Sequence, residues 1–164
     1  MRAEGRFMRL LSALVFTILL AGCGLTSSPA DNLTFAPPSG WQSSPGIMGF
    51  MQFWRPVGNS EEVLMLFRSP KQLTTSDVFD NAKLKDTKVE RQEQIKICGN
   101  QPATYFKGEA HSSVDNGPSK PHNVEMTMTN AAGTTYFALY IYPLNGEANS
   151  EAETALHQLC VKKS

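Results

Sequence analysis

Apolar positions fall into three patterns along the chain. Leu10 to Ala21, "LLSALVFTILLA", is one continuous apolar run. From about residue 32 to residue 143, apolar and polar residues alternate in short stretches bounded by Gly, Pro, Asn and Ser. That period of two belongs to half-buried strands. Near the end, "SEAETALHQLCVKK" (Ser150 to Lys163) places Ala152, Ala155, Leu156, Leu159 and Cys160 at three- and four-residue spacing, the stripe of an amphipathic helix.

The strand patterns are specific enough to place. "NLTFAPPSGW" (Asn32 to Trp41) reads as a short strand closed by a Pro-Ser-Gly turn, and Gly49 to Pro56 and Glu62 to Pro70 as two more across "VGNSE". Thr74 to Lys85 has Val78, Phe79 and Ala82 at helical spacing, with Thr75 or Ser76 as N-cap. Then "KVERQEQIKIC" and "QPATYFKGEAH" flank a Gly99-Asn100 hairpin, and "HNVEMTMTN" and "TTYFALYIYP" flank an Ala-Ala-Gly turn. In the last helix Ser150 and Glu153 stand at capping-box spacing, and Lys162 and Lys163 lie where the helix dipole favours cations. The expected fold class is α+β: an antiparallel sheet of about six or seven strands, with a mid-chain helix and a C-terminal helix packed on it.

Alternation also sorts side chains between the faces of the sheet. Pairing across "NAAG" sets Met126 opposite Phe137 and Val124 opposite Leu139, which gathers the apolar set on one face. Tyr136, Tyr140 and Tyr142 then share the other face, and Tyr105 joins them because Phe106 points to the core. Tyrosine combines apolar area with a polar tip, so these four residues form either a binding face or a layer covered by a helix or the N-terminal segment.

The first residues carry an address. Arg2, Arg6 and Arg9 precede the apolar run, which at twelve residues is short of the roughly 20 a membrane-spanning helix needs. It ends in "LAGC" (Leu20 to Cys23), which resembles the lipobox of bacterial lipoproteins. The resemblance implies that residues 1–22 are a signal peptide, that the Cys23 thiol is diacylated with palmitate-type chains, and that cleavage falls just before it. Met8 offers an alternative start. Two or three acyl chains, at ~0.8 kcal/mol per buried methylene, make a stable anchor where one is marginal. Residues 23–31 then form the lipidated cysteine and a Gly/Ser/Pro-containing tether, and 32–164 a single globular domain. Glycine rather than aspartate follows Cys23, so the usual inner-membrane retention signal is missing. The expected location is the cell envelope: the outer membrane, facing the periplasm, if the organism has one.

Charge and composition then exclude partners. The chain balances 15 basic against 15 acidic residues and is 41% hydrophobic. Losing Arg2, Arg6, Arg9 and Glu4 with the leader leaves 12 against 14, a net charge of about −2. There is no basic stripe for nucleic acid. Two cysteines remain, Cys98 and Cys160. In an oxidising compartment, with no C-x-x-C motif and no basic neighbour to activate a thiol, they read as a structural disulfide.

Candidate chemistry is sparse. His111 and His122 bracket "SSVDNGPSKP", and with Asp115 they would supply two imidazoles and a carboxylate to a metal. A loop holding Gly117, Pro118 and Pro121 reads instead as a solvated connection, so no metal and no cofactor is expected. His157 lies beside the apolar stripe of the last helix and is expected to be exposed. No serine stands in G-x-S-x-G or S-x-x-K, and "GNQPAT" lacks the lysine and spacing of a phosphate loop.

The order of elements, with "PSGW" (Pro38 to Trp41) after the first strand and a Trp-containing strand next, resembles the PsbP-like α/β/α sandwich. That resemblance implies the fold and a range of roles that includes photosystem assembly and protein binding; no functional residue carries over. Two functions are expected to compete. One is a non-enzymatic, membrane-anchored module that binds or assembles a protein partner in the envelope, through the sheet face or the 111–122 loop. The other is a lipoprotein holding a small ligand or metal in a pocket between sheet and helix.

Overall fold

The computed structural model describes residues 32–45, 50–58, 61–113 and 118–162. The leader, Cys23 and the tether lie outside the described residues, as does Asp115. In chain order the elements are β1 (Leu33–Thr34), β2 (Gln42–Pro45), β3 (Met51–Arg55), β4 (Val63–Ser69), α1 (Thr75–Asn81), β5 (Lys85–Ile97), β6 (Gln101–Ser112), β7 (Lys120–Ala131), β8 (Thr134–Pro143), α2 (Ser150–His157) and β9 (Cys160–Val161). Seven strands pair antiparallel in the order β2-β3-β4-β8-β7-β6-β5, and β1 pairs with β9 in a separate two-stranded ladder.

Both faces of this sheet are covered. On one, α1 packs Val78 against Val63, Met65, Phe106, Val124, Met126, Phe137 and Leu139. On the other, Ala152, Ala155, Leu156 and Leu159, from α2 and the turn after it, pack with Leu33 against Trp54, Leu64, Leu66, Tyr136, Ala138, Tyr140 and Tyr142. The cause is visible in β4 and β8. "VLMLF" and "YFALYIY" are apolar at consecutive positions, and a strand without alternation is a strand buried on both sides. The outer strand β5 is mostly exposed and studded with Lys, Glu and Arg, which discourages pairing by another chain along its free edge.

Several local expectations are corrected. The pairing of β7 with β8 places Met126 opposite Leu139 and Val124 opposite Ile141, two residues away from the expected register. The turn is only two residues, Ala132-Gly133, with φ of 48° and 78°, the left-handed pair a tight hairpin requires. A slip of two preserves the faces, so the sorting of side chains is unaffected. The N-cap of α1 is Thr74, whose hydroxyl accepts from the Asp77 N–H while Asp77 bonds back to the Thr74 N–H. That of α2 is Asn149, whose side chain accepts from Glu151 and Ala152; Ser150 is already helical. Helix α2 ends at His157, so Cys160 lies on β9, where pairing with Thr34 and the Lys162 N–H to Asn32 carbonyl bond (3.0 Å) occupy the backbone.

Candidate recess beside a buried carboxylate

Tyr105, Tyr136, Tyr140 and Tyr142 do lie on one face of the sheet, but that face is not a surface. Their exposures are 5%, 6%, 0% and 4%. The binding face expected of these four residues is therefore corrected to a core layer under α2 and the N-terminal segment, with Trp41 against Tyr140 at 6.2 Å and Tyr140 stacked on Tyr142 at 4.8 Å.

What the tyrosines serve is a buried charge. Glu125 is 1% exposed and projects from β7 beneath α2. It accepts the Tyr105 hydroxyl at 2.7 Å, the Tyr142 hydroxyl at 2.9 Å and the Lys107 ammonium at 2.7 Å. Burial pushes its carboxyl up, but the Lys107 ammonium and the two hydroxyls outweigh that and hold it below the ordinary glutamate range. Burial and the Glu125 charge hold both hydroxyls well above the ordinary tyrosine range. Tyr140 is engaged separately: it donates to Glu62 and accepts from the Asn149 N–H, tying the sheet to the N-cap of α2.

Lys107, its side chain 35% exposed, links this network to solvent. Its ammonium also lies 3.8 Å from Glu153 of α2, at the wall of an open recess of about 520 Å³. The recess runs between α2 and the β5–β6 edge, with Arg91, Tyr105, Lys107, Glu153, Thr154 and His157 in its lining. His157 is exposed, as expected, and its ring stacks on Tyr105 at 5.0 Å; the Arg91 guanidinium sits 5.9 Å from the same ring. The outcome is a shallow site with an aromatic floor, two cations, a carboxylate and an imidazole. The sequence carried one signal for it: Glu125 alternates onto the face opposite Val124 and Met126, where a lone carboxylate among tyrosines needs partners.

The other histidines do not converge. His111 Nδ1 meets Asp86 at 2.8 Å on β5. His122 is fully buried, its Nδ1 2.8 Å from Ser112 Oγ and 2.9 Å from the Lys120 carbonyl. A carbonyl only accepts, so Nδ1 carries the proton and cannot take one from Ser112. The pair is thus a structural hydrogen bond and not a base beside its nucleophile. Among the described residues, no three His, Cys, Asp or Glu side chains cluster as metal ligands. Cys98 and Cys160 are joined in a disulfide, with Cα atoms 5.6 Å apart.

No protein-family model matches the chain, and no curated protein matches it either. Solved structures do. The solution structure of cyanobacterial PsbP (CyanoP) from Synechocystis sp. PCC 6803 superposes with a TM-score of 0.55 at 16% identity, covering 83% of this chain and 90% of that one. The fold is PsbP-like. A crystal structure from Bacteroides thetaiotaomicron VPI-5482 superposes with a TM-score of 0.53 at 13% identity over 84% of this chain and 47% of the other, so the match spans about half of that protein. At these identities the PsbP-like likeness concerns the fold alone. Among the described residues no helix is long and apolar enough to cross a membrane.

Proposed function

We propose that the protein is an exported lipoprotein, anchored by acylated Cys23, whose PsbP-like domain binds a protein partner in the cell envelope and performs no catalysis. The leader pattern and "LAGC" support the anchor. In an organism with an outer membrane, the glycine after Cys23 favours that membrane, with the domain facing the periplasm. The observation that carries the binding role is the recess beside α2. It is open and shallow, it presents cation, carboxylate, imidazole and aromatic groups together, and it borders a free sheet edge. An enclosed small-ligand site would bury most of its ligand. This recess leaves one largely in solvent, which suits a side chain or loop of a larger partner.

The test is a photo-crosslinking amino acid at position 157, in the recess, and at position 144, an exposed residue outside it. A discrete adduct from position 157, absent from position 144 and lost in an Arg91→Glu variant, would support the reading. Identical adduct patterns from the two positions would remove it.

A further inference from the structure

Charge is distributed unevenly along the strands. One rung of the sheet runs through Phe67, Phe137, Met128, Thr104 and Gln94. Past it, toward the Gly99 and Gly133 turns, the described segments 68–74, 95–103, 129–136 and 159–162 contain Arg68, Lys71, Lys96 and Lys162 and no acidic residue. Carboxylates border this end: Asp77 and Asp80 on α1, with Asp77 taken up by the Thr74 cap, and Glu93 next to Gln94 on β5, paired with Arg91 at 2.9 Å. At the opposite end Glu61, Asp86 and Glu109 stand among Lys85, Lys88 and Lys120, several of them as ion pairs. Among the described residues, one end of the domain is therefore cationic.

That end is also where the chain arrives from Cys23. Asn32 bonds to Lys162, and β1 pairs with β9 beside the Cys98–Cys160 bridge. Nine residue steps separate Cys23 from Asn32, a reach of at most roughly 32 Å. Strands β5 and β6, of 13 and 12 residues, extend about 40 Å at ~3.3 Å per residue. The tether is thus shorter than the sheet is long, so an acylated Cys23 keeps the cationic end within roughly 32 Å of the bilayer and excludes an upright pose with the far end down. The same end carries a recess whose lining mixes Cys98, Ala131, Ala132 and Val161 with polar residues, among them Asn100 and Lys162.

We propose that this end, resting on the lipoprotein reading above, docks on an anionic bilayer surface. Lys71, Lys96 and Lys162 lie against headgroup phosphates, and the Gly99 and Gly133 hairpins point into the interface. Docking of this kind holds the α2 recess at a fixed height and orientation above the membrane.

The experiment uses the intact lipoprotein in vesicles containing doxyl-labelled lipid, with or without phosphatidylglycerol, and a fluorescent amino acid at position 100 or position 57. Position 57 marks the far end, where Val57 is 70% exposed. Docking predicts quenching at position 100 and none at 57, loss of that quenching in 0.5–1 M salt where the Debye length is only about 3–4 Å, and the same loss in Lys71→Glu/Lys96→Glu/Lys162→Glu. These lysines are exposed, and an unchanged melting temperature certifies the fold of the variant. Equal quenching at 100 and 57 in a protein of acylated mass would overturn the docking and leave the anchor standing. A mass without acyl chains would overturn the anchor and, with it, the docking.

Discussion

The Tyr142 hydroxyl donates to Glu125 Oε1 at 2.9 Å, and Tyr105 donates to the other oxygen of the same carboxylate from the neighbouring strand. Two tyrosines and Lys107 thereby replace the water that a carboxylate under a helix has lost. Removing the acceptor strands both hydroxyls beneath α2, while Lys107 keeps solvent and Glu153. Glu125→Ala should cost about 2–5 kcal/mol, because two buried hydroxyls lose their acceptor at about 1–3 kcal/mol each. Tyr142→Phe, which removes one donor of several, should cost about 1–3 kcal/mol. Urea unfolding of the two variants checks both the order and the sizes.

Acid should loosen the opposite side of the sheet. Burial holds the His122 imidazole below its ordinary value of 6.5, against the opposing pull of its bond to the Lys120 carbonyl and the nearby Glu61; the Lys120 charge adds to the lowering. Among the described residues its Nε2 has no hydrogen-bond partner. The unfolded chain then takes up a proton that the folded one resists, so stability is full above about pH 6.5 and falls as the pH drops below it toward the lower folded value. Urea midpoints between pH 7 and pH 5 should decline, and His122→Gln should flatten that decline. An unchanged slope in the variant would assign it to other groups.

Gly108 is on β6 opposite a bulge of β5, where the register shifts between Val89 and Arg91. A Cβ at this position would be driven into the Lys88 carbonyl oxygen and against the Phe106 ring. The obstacle is backbone, which cannot rotate away. Gly108→Ala should therefore destabilise by about 1–3 kcal/mol, read in a thermal melt, whereas the same change at exposed Gly146 should cost less.

Strands β3 to β8 and the faces of their side chains were legible in the sequence because alternation is a local signal. The short β2 and β9 carry no such pattern, and β1 left the main sheet to pair with β9. Phe106, Met126 and Phe137 all point where their period puts them. The register of β7 on β8 was not legible, since "NAAG" supports a longer or a shorter turn and only the left-handed Ala132-Gly133 pair decides it. The burial of the tyrosines was legible in part: β4 and β8 lack alternation, which already implies cover on both sides. The recess was not, because Arg91, Lys107, Glu153 and His157 come from three elements whose meeting depends on where α2 lands. The end of α2 was hidden because Leu159 and Cys160 continue the helical stripe, while the bridge to Cys98 and the pairing of β9 with β1 claim Cys160 and Leu159 packs into the core from the turn.

The Cys98–Cys160 bridge spans a sequence separation of 62 and ties the β5–β6 turn to the segment after α2. In the chain-entropy account, closing such a loop contributes about 4 kcal/mol. Reduction, or Cys98→Ala/Cys160→Ala, should lower the melting temperature by on the order of 15 °C for a domain of this size. Thiol labelling of the denatured, unreduced protein should find neither cysteine free.

Where the domain is held decides what its recess meets, so the anchor is the claim to test first. The direct measurement is the intact mass of the mature protein purified from membranes, with its N-terminal peptide fragmented. The mature chain should begin at Cys23 and be heavier than the 142 residues from there to Ser164 by a diacylglyceryl group, and a Cys23→Ser variant should be either released from the membrane or left unprocessed. A mature chain with an unmodified Cys23 thiol, or a Cys23→Ser protein with unchanged mass and fractionation, would contradict the anchor.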